Sequence, residues 1–199
     1  VEAGTALFFA VVAVGGAVAY SRISGTQDAI AGGLVLIAFL YLAAISTALA
    51  LIDLDTHRLP NRIVVPAYIV SLVLFVAAAM LGGHFDGLFR GGVGMVAMAL
   101  AYFLMAFAYP GGMGLGDVKL AGVLGIYLGW VGWGALIVGT LAAFVLGGLY
   151  AVILMLLKRA NRKSGIPFGP WMLAGAWLGI GVGNLVFVAY LSLFDLAVV

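Results

Sequence analysis

Residues 28–52 read DAIAGGLVLIAFLYLAAISTALALI, an unbroken apolar run between Asp28 and Asp53. A helix needs about 20 such residues, at 1.5 Å rise each, to cross the hydrocarbon of a bilayer. A membrane β-barrel would instead alternate apolar and polar residues over short segments. This stretch therefore sets the fold class as all-α and membrane-spanning. Working outward, further apolar runs occupy 4–22, 63–82, 87–109, 117–130, 132–157 and 171–194. The expected architecture is a polytopic transmembrane helical bundle of about 6–7 spans. Its fifth run is short, and either spans with its flanks or stops partway as a re-entrant helix. No linker or second domain interrupts the pattern, so 1–199 reads as a single domain.

Composition agrees. The chain is 66% hydrophobic and 8% charged, with mean hydropathy +1.28, a balance that excludes a soluble domain. A net charge of +2 with basic residues confined to segment ends argues against a nucleic-acid partner. The absence of cysteine excludes disulfides and thiolate chemistry, and two histidines, His57 and His84, leave little scope for a metal site. No cofactor is expected, and the partners expected are membrane lipid and a protein substrate. The chain starts at Val1-Glu2, and the first apolar run lacks a small-residue cleavage site, so it does not read as a signal peptide.

Gly- and Pro-rich breaks such as Gly82-Gly83-His84 and Tyr109-Pro110-Gly111-Gly112 separate the runs. In a seven-span arrangement Arg58, Arg62, Lys119, Lys158, Arg159, Arg162 and Lys163 share one side, against Arg22 and Arg90 on the other. The positive-inside rule then puts the N-terminus and the 158–170 loop in the cytoplasm and the C-terminus outside. Gly175, Gly179 and Gly183, and likewise Gly125 and Gly129, recur every four residues. That spacing reads as close helix packing, not chemistry.

Two polar islands lie on the predicted cytoplasmic side: Ile52-Asp53-Leu54-Asp55-Thr56-His57-Arg58-Leu59-Pro60-Asn61, and Gly112-Met113-Gly114-Leu115-Gly116-Asp117-Val118-Lys119-Leu120. A charged carboxylate in a membrane helix costs about 2.5–3.5 kcal/mol by insertion scales, so each aspartate needs a reason. Taken alone, Asp117 reads as readily as the N-cap of the following helix. A phosphate-binding glycine loop would need a preceding strand, and none is evident. Asp53 ends an apolar helix, where the dipole disfavours a carboxylate, unless it reaches headgroup water beside Arg58 or Arg62. Asp55 reads as a solvated loop acid or a partner of Arg58.

Together, two aspartates that can share a proton suit peptide hydrolysis: the ionised one activates water and the protonated one hydrogen-bonds the scissile carbonyl. Helix ends suggest that Asp117, at a helix N-terminus, starts as the base and that Asp53, at a helix C-terminus, keeps the proton.

At these residues the chain resembles the type IV prepilin peptidases, membrane aspartic proteases with a Gly-x-Gly-Asp motif. The resemblance rests on the first island with Pro60 and Asn61, on Gly114 and Gly116 before Asp117, and on Ile166-Pro167-Phe168-Gly169-Pro170 before the last run. It implies Asp53 and Asp117 as the catalytic pair, with no metal or cofactor. The implied substrate is a prepilin or pseudopilin with a short basic cytoplasmic leader, and the implied setting is the bacterial cytoplasmic membrane. Many members begin with a domain bearing two Cys pairs that is associated with methyl transfer from S-adenosylmethionine. This chain starts as the family does just after that domain, which is either absent by nature or cut away, so the resemblance implies peptidase activity and leaves methyl transfer doubtful in this chain. The 166–170 segment also reads as a rigid helix entry, since Pro fits a first turn, and Phe168 as either part of that entry or a lining of the substrate groove.

Three alternatives stand beside this. A small proton-coupled transporter would use intramembrane carboxylates, but needs them near the midplane with access to both faces. A structural membrane subunit leaves the placement of Asp53 and Asp117 without a role. A signal-peptide-peptidase-like protease would carry its aspartates within two adjacent spans.

Overall fold

In the computed structural model, which describes residues 2–20, 26–108, 113–159 and 167–194, every element is helical and no strand occurs among the described residues. The elements are α1 (Glu2–Tyr20), α2 (Thr26–Thr56), α3 (Asn61–Gly82), α4 (Phe85–Ala108), α5 (Leu115–Val131), α6 (Trp133–Leu156), α7 (Gly169–Leu178) and α8 (Asn184–Ser192). A π-helical turn, Gly179–Gly183, joins α7 to α8 as one rod. The breaks expected at Ser21–Gly25 and Tyr109–Gly112, the basic residues Arg22, Arg162 and Lys163, and Val1 and Ile166 lie outside the described residues.

Five helices, α2, α3, α4, α6 and the Gly169–Ser192 rod, are long and apolar enough to cross a membrane. The remaining short run is also a helix: α5 has 17 residues, about 25 Å at 1.5 Å each. Its residues Leu120–Gly129 are buried inside the bundle, and it runs beside α4 as far as Arg90. Large apolar side chains such as Phe107, Leu156 and Leu185 face outward at 72–77% exposure, as lipid-facing positions require.

The glycine spacings act through packing. A Cβ on Gly94 would strike the carbonyl of Gly125, and one on Gly125 would strike that of Gly94. Gly175, Gly179 and Gly183 meet the backbone of Ala135, Gly139 and Ala143 on α6 in the same way. Small residues let these backbones touch where lipid supplies no hydrophobic drive. The interior holds Phe75 between Tyr127 and Trp130, with ring centroids at 5.1 and 4.5 Å. The buried Tyr127 hydroxyl is satisfied, accepting from Ser71 Oγ (2.9 Å) and donating to the carbonyl of Ala38 (3.2 Å).

Alternating helix directions bring the C-terminal ends of α2, α4 and α6 and the N-terminal ends of α3, α5 and α7 to one end of the bundle. Contacts across that end fix it. Lys119 Nζ donates to Asn61 Oδ1 (3.0 Å), and the Gly169 N–H donates to Asp53 Oδ2 (3.0 Å). Both islands and the Pro167–Gly169 part of the third motif therefore share one bundle end.

Candidate active site

Asp53 is 4% exposed and sits one turn inside α2, which continues to Thr56. The helix closes with the N–H of His57 donating to the Asp53 carbonyl (2.9 Å), and His57 takes φ +53°. That left-handed residue turns the chain toward Pro60, whose extended backbone (φ −71°, ψ 127°) starts α3. Asp55 and Arg58 are exposed beside it, so the solvated reading of Asp55 holds.

The carboxylate of Asp53 points at the first turn of α7. Phe168 is the N-cap of α7 and its carbonyl accepts from the N–H groups of Trp171 and Met172, both at 3.1 Å. Gly169, in the first turn, has a free N–H, and it donates to Asp53 Oδ2. A Cβ at position 169 would stand 2.7 Å from that oxygen, so only glycine fits. Asp53 thus faces two helix ends of opposite sense, the C-terminal turn of α2 and the N-terminal turn of α7. The single unfavourable dipole expected from the sequence is offset.

Asp117 is not the N-cap of α5. Gly114 holds that position (φ −79°, ψ 149°) and Asp117 is the third residue of the helix. Its carboxylate reaches back to accept from the Gly114 N–H (3.1 Å), while its own N–H donates to the Gly114 carbonyl (3.1 Å). Gly116 lies against Leu59, whose Cβ would be 3.1 Å from an added methyl. The same Leu59 also borders Gly169, with its Cδ2 3.4 Å from where a Cβ would be. Leu59 is therefore the apolar piece between the two carboxylate mounts.

Burial raises the Asp117 carboxyl from 3.8 to about 6, the Gly114 N–H opposes this, and the neighbouring charge of Asp53 adds to it. The two carboxyls are thus within electrostatic reach. Asp117 lies in the N-terminal turn of α5 and Asp53 in the C-terminal turn of α2, the helix ends on which the assignment of base to Asp117 and acid to Asp53 rests.

Of the supporting motif residues, Pro60 and Asn61 start α3, and Asn61 is tied to Lys119. The Lys119 carbonyl accepts from the Tyr68 hydroxyl (2.7 Å). The Lys119 side chain is thus a brace between the two islands. Pro167 is half-buried ahead of α7. Phe168 packs inward on Phe144 (5.3 Å) and Tyr102 (6.3 Å), and its ring fills the space beside Gly147, which favours the rigid-entry reading. Tyr102 itself is absent from the sequence reading. Its signal is the stripe Gly87, Gly91, Gly94, Met98, Tyr102 at helical spacing, all buried. No group of three or more His, Cys, Asp or Glu that could hold a metal occurs among the described residues.

The family model described as type IV leader peptidase family matches residues 40–152. Among curated proteins, the chain is 31% identical over 161 residues to a prepilin leader peptidase/N-methyltransferase of Aeromonas salmonicida, covering 78% of this chain and 53% of that protein. It is 29% identical over 146 residues to the protein of the same name from Stutzerimonas stutzeri, covering 73% and 49%. For the Escherichia coli K12 protein of that name the match is 30% over 153 residues, covering 76% and 64%. The chain thus spans about half the length of the first two of these relatives. No solved structure matches it.

Proposed function

Because the chain belongs to the type IV leader peptidase family, we propose that it is a membrane-embedded aspartic endopeptidase that removes the short leader of prepilin-like proteins, with Asp53 and Asp117 as the catalytic pair. The observation that carries this reading is that two carboxyls 64 positions apart in sequence come to one bundle end, each held by one backbone N–H, with the charge of Asp53 acting on Asp117. At such a pair, one proton is shared. The ionised carboxylate takes a proton from water as the oxygen attacks the scissile carbonyl, and the protonated partner donates to the carbonyl oxygen. Collapse of the tetrahedral intermediate returns a proton to the leaving amine.

The site lies at the bundle end that also carries Arg58, Arg62, Lys119, Lys158 and Arg159, whereas Arg90 sits at the other end. The positive-inside rule supports a cytoplasmic active site, an outward C-terminus and residence in the bacterial inner membrane. A substrate would then keep its leader in the cytoplasm and lay its apolar helix in lipid against the enzyme. Residues 1–199 are read as one peptidase domain. Only the peptidase half of the relatives' double name is proposed for this chain. The transporter alternative finds no support, because among the described residues every aspartate, Asp28, Asp53, Asp55, Asp86 and Asp117, lies at a bundle end and none midway.

The test is leader cleavage of a co-expressed prepilin by wild type, Asp53→Asn, Asp117→Asn and Asp55→Asn, with membrane levels matched. The first two variants should be inactive and the third should retain most cleavage. Cleavage by both Asp53→Asn and Asp117→Asn would overturn the aspartic mechanism.

A further inference from the structure

The Tyr102 hydroxyl is the one buried side-chain polar atom without a hydrogen-bond partner among the described residues, on a side chain that is 0% exposed. Leaving a buried hydroxyl unpaired carries a desolvation cost, whereas phenylalanine would fill the same space without it. A tyrosine here therefore calls for a partner that the resting bundle does not supply.

Its place in the bundle identifies that partner. α4 and α5 are antiparallel, with Gly94 against Gly125 and Gly91 against Ile126 and Gly129. Continuing the register, Met98 comes opposite Ala121, both buried. Tyr102, eight residues on from Gly94, then comes opposite Asp117, eight residues back from Gly125. The Tyr102 oxygen is also within electrostatic reach of the Asp117 carboxylate. Two aromatic neighbours confine the ring: Phe144 at 5.4 Å on α6, and Phe168 at 6.3 Å, next to the glycine that holds Asp53. The helix register and the two rings thus place Tyr102 beside the turn that carries Asp117.

We infer that Tyr102 is a positioning residue for Asp117, its hydroxyl donating a hydrogen bond to the ionised Asp117 carboxylate in the reacting state. That bond would fix the orientation of the carboxylate that the Gly114 N–H holds from the other side. It would also favour the charged form over the neutral one. The other titratable or charged groups around Asp117 are Asp53 from α2, with His57 beside it, and Lys119 on α5 itself, whose ammonium is engaged by Asn61 of α3. α6 and α7 contribute Phe144 and Phe168 to this corner. The inference rests on the peptidase reading for its kinetic consequence, but not for its electrostatic one.

Tyr102→Phe removes only the hydroxyl. Prepilin cleavage by this variant should show kcat lowered roughly 10–100-fold, as for loss of a hydrogen bond to a charged group, with KM little changed. The acid limb of its pH profile should move to higher pH by about one unit, since the charged form of Asp117 loses a donor. The same shift should appear in the titration of the Asp117 carboxyl followed by infrared difference spectroscopy, with Asp117→Asn used to assign the band. Unchanged kcat and an unchanged Asp117 midpoint in Tyr102→Phe would overturn the inference, as would a change in thermal stability alone. If the wild-type protein cleaves no prepilin, the peptidase reading falls, and the infrared titration still decides for or against Tyr102.

Discussion

The backbone N–H of Gly169 holds Oδ2 of Asp53 at 3.0 Å, across 116 positions of sequence. A buried carboxylate facing the C-terminal turn of its own helix is thereby given a donor from the N-terminal turn of another. The Pro-Phe-Gly-Pro segment is, by this contact, part of the mount for Asp53.

Gly169→Ala should break that mount, because the new methyl would stand 2.7 Å from the oxygen it must clear. Loss of one hydrogen bond to a charged group amounts to about 1.5–3 kcal/mol, or roughly a 10–100-fold fall in leader cleavage at matched membrane level. Cleavage at the wild-type rate would show that Asp53 does not depend on this donor.

The Asp117 carboxyl, raised from 3.8 to about 6, makes folding pH-dependent. Between those values the folded protein binds a proton that the unfolded chain has released. Stability from this group is therefore full below about pH 4 and is lost as pH rises through about 6. Asp117→Asn stays neutral and can still accept from the Gly114 N–H. It should unfold at higher temperature than wild type at pH 7 and at nearly the same temperature at pH 4. A gap of equal size at both pH values would contradict the assigned shift.

Gly94→Ala should separate α4 from α5, since its methyl would collide with the backbone carbonyl of Gly125. Overpacking of this kind costs about 1–3 kcal/mol or more when backbone must move. Gly92→Ala, two residues away and facing open space, should be neutral or slightly stabilising in the same helix. Thermal unfolding of both variants in detergent checks the pair, and equal behaviour would count against the close contact.

Lys119→Met removes the exposed brace to Asn61. Exposed substitutions of this kind change stability by only about 0.5 kcal/mol. Unfolding should hardly shift, and cleavage should persist. Abolished cleavage would assign the ammonium a role beyond bracing.

Much of this arrangement is legible in the sequence because membrane helices announce themselves by length and apolar continuity. The run at 28–52 and the islands at Asp53 and Asp117 place both acids at one end on spacing alone. What escapes is side-chain direction. Tyr102 reads as one more aromatic in an oily helix, and only the register of Gly94 on Gly125 brings its turn of α4 opposite that of Asp117. Helix-end electrostatics also mislead when one end is considered alone: the α7 N-terminus that reaches Asp53 lies in a distant part of the chain. Asp117 shows the same limit, since its burial depends on the packing of four helices around α5.

The Gly169 contact also has a meaning in time. Synthesis proceeds at about 5–20 residues per second. Asp53 leaves the ribosome on the order of ten seconds before the amide that will hold it, 116 residues later. During that interval the Asp53 carboxyl of α2 is without this donor. The nascent chain therefore cannot adopt its finished constellation until the last rod is threaded, which keeps an incomplete translation product from acquiring the mature site.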